Sequence, residues 1–110
     1  MPQETLMLDD RNFDTEVMRG NTTILVQFWA PWCEPCHQVS SYVEELAAEF
    51  EGRVVMARLN TDHGDIIAGR YKVTNIPALI MFKNGKDVYK KVGFPDKKAV
   101  SDFIYGGLDL

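Results

Sequence analysis

The sequence predicts an α/β fold: a mixed five-stranded sheet sandwiched by four helices, in the order β-α-β-α-β-α-β-β-α, over a single domain spanning residues 1–110. Three observations lead there. Strand-like and helix-like stretches alternate along most of the chain, which predicts parallel neighbours joined by right-handed crossovers. Thr22 to Trp29 is a mostly apolar run rich in β-branched residues, the mark of a central strand covered on both faces. Asn84-Gly85, between two strand-like runs, is a two-residue hairpin signal, so the last two strands pair antiparallel and add an antiparallel edge.

The elements follow in order. Thr5 to Leu8 reads as a short first strand. Asp9 or Asp10 is placed to cap a helix that turns Phe13 and Val17 inward and ends at Gly20, a C′ glycine. After the central strand, the apolar set Cys36, Val39, Val43, Leu46, Ala47 and Phe50 has helical spacing and predicts a helix to about Glu51, stopped by Gly52. Arg53 to Asn60 is a third strand, and His63 to Tyr71 a shorter helix using Ile66 and Ile67. Ala78 to Phe82 and Asp87 to Val92 form the hairpin strands. Gly93, Pro95 and Asp96 open a last helix with Val100, Phe103 and Ile104 inward, stopped at Gly106-Gly107. There is no internal repeat, linker or low-complexity segment.

With 45% apolar and 25% charged residues, the chain has the balance of a soluble globular protein and is long enough to bury a core. A formal net charge of -4 argues against a nucleic-acid partner, whose phosphates need a basic patch. Met1-Pro2-Gln3-Glu4-Thr5 has neither a cationic start nor a long apolar region, so no signal peptide is expected. No apolar run approaches the ~20 residues of a membrane span. A cytoplasmic protein is expected, and in that reducing compartment two lone cysteines point to catalysis or metal binding rather than to a structural bridge.

Those cysteines lie in the stretch Ile24 to His37, around which the chain is organised. Cys33 falls where the central strand gives way to a helix N-terminus. Unpaired N–H groups and the positive end of the helix dipole favour a thiolate there, and the thiolate is the nucleophile. Cys36, three residues on, lies on the inward apolar face. One sulfur is thus expected to be exposed and activated, its neighbour shielded and within reach. Pro35 in the first helical turn sacrifices no hydrogen bond and fixes the backbone between them. This pattern supports thiol–disulfide exchange, in which one thiolate attacks a substrate disulfide and the second resolves the mixed disulfide.

Other readings use the same residues. Half of a zinc site would need His37 and His63 to complete four ligands, a spacing that fits no common site. Cys33-Glu34-Pro35-Cys36-His37 also matches the signature for covalent haem, with Met56 or Met81 as a second axial ligand, but both methionines fall in predicted core strands. The cysteines could also be two buried thiols, against which the Trp-Cys-x-Pro-Cys context argues.

The segment Phe28-Trp29-Ala30-Pro31-Trp32-Cys33-Glu34-Pro35-Cys36 resembles the active-site segment of the thioredoxin family. Val73-Thr74-Asn75-Ile76-Pro77-Ala78-Leu79 is similar to that family's cis-proline segment, and Phe82-Lys83-Asn84-Gly85-Lys86 with Lys91-Val92-Gly93 to its last hairpin. The resemblance covers nearly the whole chain. It implies the thioredoxin fold and a protein-disulfide oxidoreductase that attacks through Cys33 and resolves through Cys36. It implies a cis Ile76–Pro77 bond beside the dithiol and a shallow substrate groove lined by Trp32, Ile76, Pro77, Val92 and Gly93. It implies a protein without a bound cofactor, whose partners are disulfide-containing substrate proteins and a thioredoxin reductase, flavin-dependent and drawing electrons from NADPH; a monomer is the default expectation. An isomerase or oxidase of shifted potential, or a binding or chaperone module with an incidental dithiol, shares the fold.

Four positions depart from the family pattern. Gln27 stands where the family has a buried aspartate thought to take the proton of the second cysteine, and an amide has no proton to exchange near neutral pH. That proton must then pass to water, His37 or Glu34. Arg58 keeps the positive charge usual beside that aspartate. Glu34 replaces a glycine; its charge suits the helix N-terminus but repels a thiolate, whereas His37, replacing a lysine, favours the thiolate only when protonated. Ser41 stands in place of a helix-kinking proline, which predicts a straighter helix.

Overall fold

The computed structural model describes residues 5–18 and 22–110, so Gly20, expected as a C′ glycine, lies outside the described residues. The central strand β2 (Thr23–Trp29) organises the sheet. In order along the chain come β1 (Leu6–Leu8), α1 (Phe13–Val17), β2, α2 (Glu34–Ala47) with a 3-10 turn Ala48–Phe50, β3 (Val55–Asn60), α3 (Asp65–Arg70), β4 (Ala78–Lys83), β5 (Lys86–Val92) and α4 (Lys97–Leu108). The sheet order is β1-β3-β2-β4-β5.

Alternation along β2 divides the core. Ile24, Val26 and Phe28 face one side with Phe13, Val17 and Ile67 of α1 and α3. Leu25 faces the other with Val39, Val43, Leu46, Val100, Phe103 and Ile104 of α2 and α4, and with Met56 and Met81, which are packed here as core. Gln27 follows Leu25 at the same period of two, so it too is directed at α2.

β1 and β2 both run parallel to β3, as alternation predicts. β4 departs: it pairs antiparallel with β2, with Phe28 opposite Ala78. A helix of six residues is about 9 Å long. It cannot carry the chain back along a strand of about 20 Å, as a parallel crossover requires. The chain therefore re-enters the sheet at the end where it left. The hairpin then makes β5 antiparallel to β4.

Three local expectations are corrected. Neither Asp9 nor Asp10 is the N-cap of α1, which is Asn12. Asp9 Oδ1 instead accepts the N–H groups of Arg11 and Asn12 at 2.8 and 2.9 Å. Asp10 reaches across the fold to cap α3, accepting from the N–H groups of Ile66 and Ile67 at 3.1 and 2.9 Å. Ile66 is 67% exposed. Consecutive helical residues point about 100° apart, and α3 turns Ile67 and Ala68 to the core instead. Finally, α4 does not stop at Gly106-Gly107 but runs through them to Leu108. A Cβ at Gly107 would lie 3.0 Å from Met81 Cε, and one at Gly106 3.1 Å from the Tyr89 ring. These glycines let the helix lie close on β4 and β5. Downstream of the cysteines, α2 is uninterrupted to Ala47, with Ser41 Oγ donating to the His37 carbonyl at 3.3 Å.

Candidate active site

β2 ends at Trp29, and Ala30-Pro31-Trp32 turns the chain into α2. Cys33 is the N-cap residue of that helix, with extended backbone, and its Sγ accepts the N–H of Cys36 at 3.2 Å. This is one of the N–H groups the helix itself leaves unpaired. The two sulfurs are joined in a disulfide with the Cα atoms 5.3 Å apart, which is the oxidised state of the pair.

The expected contrast in exposure is smaller than the sequence implied. Cys36 is fully buried and Cys33 is only 6% exposed, because Ala30, Trp29 and Ile76 pack against the closed pair. Glu34, Pro35 and His37 lie on the exposed side of the first turn. The His37 ring bonds through Nε2 to the Pro31 carbonyl at 2.8 Å, tying α2 to the turn before it. Trp32, 71% exposed, donates from Nε1 to Asp62 Oδ1 at 3.4 Å.

Beneath the pair lies a polar cluster. Gln27 and Ser40 are the buried polar side chains among the described residues. Gln27 Nε2 donates to the Cys36 carbonyl at 3.1 Å and to Ser40 Oγ at 2.9 Å. Ser40 Oγ lies 3.0 Å from the Cys36 carbonyl and 3.2 Å from Gln27 Oε1. Arg58 sits opposite Gln27 in the β2–β3 register and donates from Nη2 to Ser40 Oγ at 2.9 Å. Its guanidinium stacks on the Trp29 ring at 4.1 Å. Among the described residues Arg58 makes no ion pair, and its buried Nε has no hydrogen-bond partner. Burial pushes its guanidinium below the ordinary arginine value, an effect partly offset by the charge of Glu44.

The Ile76–Pro77 bond is cis. Pro77 is buried, and its carbonyl accepts the N–H of Gly93 at 3.0 Å, which brings the end of β5 beside it. The residues named for a groove divide into two groups. Trp32 and Ile76 line a cavity of about 360 Å³ together with Thr61, Asp65, Ala68, Gly69, Val73 and Thr74. Val92, 45% exposed, and Gly93 do not line that cavity.

Sequence reasoning missed Ser40, Asp62 and the α3 wall of the cavity. Ser40 did leave a trace: it follows Cys36 by four residues and is thus a polar residue on the inward face of an amphipathic helix. Asp62 left none. It meets Trp32 only because Trp29 and Asn60 are partners in the sheet, so that the loops after β2 and β3 run side by side.

No group of three or more His, Cys, Asp or Glu among the described residues is placed to hold a metal ion. Among them no helix is long and apolar enough to cross a membrane.

Comparison with known proteins is consistent throughout. The family model for thioredoxin matches residues 4–105. A thioredoxin of Haemophilus influenzae is 37% identical over 101 residues, covering 92% of this chain and 94% of its own. A thioredoxin of Chlorobaculum thiosulfatiphilum is 39% identical over 95 residues, covering 86% and 88%. Thioredoxin M5, chloroplastic, of Oryza sativa is 36% identical over 101 residues, and there the chain spans only 59% of the relative's length. A helix-capping Cys33 joined to Cys36, beside a cis-proline on this sheet, agrees with each of these matches: the chain belongs to the thioredoxin family of thiol–disulfide oxidoreductases.

Proposed function

We propose that the chain is a general reductant of disulfides in other proteins, acting as a single-domain monomer in the cytoplasm. The observation that carries this is the placement of the dithiol: Cys33 at the N-terminus of α2, its Sγ already accepting the Cys36 N–H, next in sequence to Trp32, which lines the cavity with Ile76. The same N–H and the helix dipole favour Cys33 as thiolate once the pair is reduced. Cys33 attacks a substrate disulfide. Cys36 then attacks Cys33, closes the internal disulfide and releases the second substrate thiol. The substrate's extended backbone lies along Ile76 and Pro77 as an added strand, with Trp32 on one side and Val92 and Gly93 on the other. Glu34 and His37 oppose one another at the rim: the carboxylate disfavours the Cys33 thiolate, and a protonated imidazole favours it. A flavin-dependent thioredoxin reductase drawing on NADPH returns the pair to the dithiol.

The test is the reduction potential of the Cys33–Cys36 couple, measured by equilibration with glutathione buffers. A value near -270 mV, that of thioredoxin, supports the general reductant. A value above about -200 mV moves the assignment to disulfide formation or isomerisation. The polar cluster around Gln27, which holds a cation and no carboxylate, favours that second reading. Without a reversible two-electron transition, the dithiol is incidental and the chain is a binding module; Cys33→Ser then leaves its function intact.

A further inference from the structure

The resolving cysteine must lose a proton before it attacks, and the groups around Cys36 are unusual for that task. On β2 the neighbour is Gln27, which does not titrate near neutral pH. On the segment before β4 the neighbours are Ile76 and Pro77, which carry no charge. On α2 itself Glu34, His37 and Glu44 are exposed at the helix surface. Among the described residues the one charge directed at the buried side comes from β3: Arg58, which is in no ion pair there, donating to Ser40 Oγ at 2.9 Å. Ser40 has a single proton to give. Its oxygen accepts from Arg58 Nη2 and Gln27 Nε2, so that proton is turned to the acceptors that remain, the Cys36 carbonyl at 3.0 Å and Gln27 Oε1 at 3.2 Å. A chain of donors thus runs from a cation in no ion pair to the backbone carbonyl of the residue whose sulfur must become an anion. Such chains polarise one another where water is excluded.

We infer that Ser40 and Arg58 are positioning residues for the resolving step, holding a positive charge that no ion pair neutralises behind Cys36 so that its sulfur ionises to bulk water without a carboxylate base. The step balances as follows. The Cys36 thiol gives its proton to water. The sulfur's electron pair forms the bond to Cys33 Sγ, the bond from Cys33 Sγ to the substrate sulfur breaks, and the departing substrate thiolate is protonated by solvent. The cysteine pair is oxidised by two electrons and the substrate disulfide is reduced by two. Arg58 and Ser40 touch no reacting atom; they act through the field at Cys36. The inference rests on the exchange reaction proposed above.

The experiment mixes the reduced protein with excess Ellman's reagent across a range of pH. The first release of thionitrobenzoate reports attack by Cys33. The second, independent of reagent concentration, reports attack by Cys36. A unit charge two hydrogen bonds away at a half-buried site changes an ionisation by about tenfold. Arg58→Met, which keeps the aliphatic length over Trp29, is expected to move the midpoint of the second phase up by about one pH unit, and Ser40→Ala, which breaks the link but leaves the charge, by a smaller amount in the same direction. Arg58→Lys is expected to stay within about threefold of the parent at every pH. An unmoved midpoint in Ser40→Ala and Arg58→Met overturns the inference. So does an Arg58→Lys variant that shifts as far as Arg58→Met, because shape rather than charge is then at work. The first phase separates the two claims: if the parent protein shows no Cys33 attack, the exchange reaction itself fails.

Discussion

Replacing Gln27 by aspartate puts a base where the chain has an amide, and the outcome can be worked from distances. Gln27 Nε2 donates to the Cys36 carbonyl at 3.1 Å and to Ser40 Oγ at 2.9 Å. Both bonds are lost, at roughly 0.5–1.5 kcal/mol each, so Gln27→Asp is expected to unfold about 2 kcal/mol more easily in urea. The aspartate is one methylene shorter and fully enclosed, so its carboxylate reaches Cys36 through one water and takes Arg58 as its counter-ion. Positioned general bases contribute about 10²–10⁴ in rate. Neutralising Arg58 returns about tenfold of that by weakening the field at Cys36. The net expectation is a resolving step at least about tenfold faster near neutral pH, read from the second phase of thionitrobenzoate release. If the folded variant resolves at the parent rate or more slowly, the missing proton acceptor does not limit this reaction and the account of Gln27 is wrong.

Further outcomes follow from the packing and the caps. Gly64→Ala places a Cβ 2.2 Å from Leu59 Cδ2 and 2.7 Å from Leu59 Cγ, and Leu59 is fully buried, so a loss of about 2 kcal/mol is expected in urea unfolding. Asp10→Ala removes the acceptor of two α3 N–H groups and is expected to cost about 1 kcal/mol. Because α3 walls the cavity beside Trp32, the same variant is expected to raise KM for a protein disulfide more than it changes turnover of a small aromatic disulfide. Cys36→Ser is expected to stall as a covalent adduct through Cys33, visible by non-reducing electrophoresis, while Cys33→Ser forms none. Asp9 and Asp14 are held below the usual carboxylate value of 3.8, Asp9 by the N–H groups of Asn12 and Arg11 and Asp14 by the Arg70 guanidinium. Such groups add stability above their unfolded value and lose it as pH falls through the lower folded one. Asp9→Asn is therefore expected to flatten the fall in stability below about pH 4, followed by urea midpoints across the acid range.

The readable parts of the chain were those where local pattern and global fold agree. Thr22 to Trp29 is buried on both faces because its sequence is apolar at both parities, and Asn84-Gly85 forms the hairpin because both residues adopt the positive φ such a turn needs, +54° and +83°. Cys33 and Cys36 were legible because three residues of helix fix their relation. The misreadings share a different cause. Gly106-Gly107 resembles a helix stop, yet its meaning depends on how closely Met81 and Tyr89 approach from two strands. Asp10 resembles a cap for the helix beside it, and serves one 56 residues away. The direction of β4 depended on the length of α3, an element boundary that spacing alone set too wide. At the site, a register between β2 and β3 brings Arg58 under the cysteines and Asp62 beside Trp32, and register is a property of pairs of strands.

The reach of Asp10 to Ile66 and Ile67 also bears on how the native state breathes. The cap belongs to the segment between the first strand and the first helix, so the amide hydrogens of Ile66 and Ile67 are shielded only while that segment is docked. Hydrogen exchange at these two amides is therefore a gauge of the N-terminal arm, read on the far side of the sequence. A cut, a bulky tag or a bound partner that lifts the arm would speed their exchange first, and would loosen the wall of the cavity beside Trp32 without touching a residue that lines it.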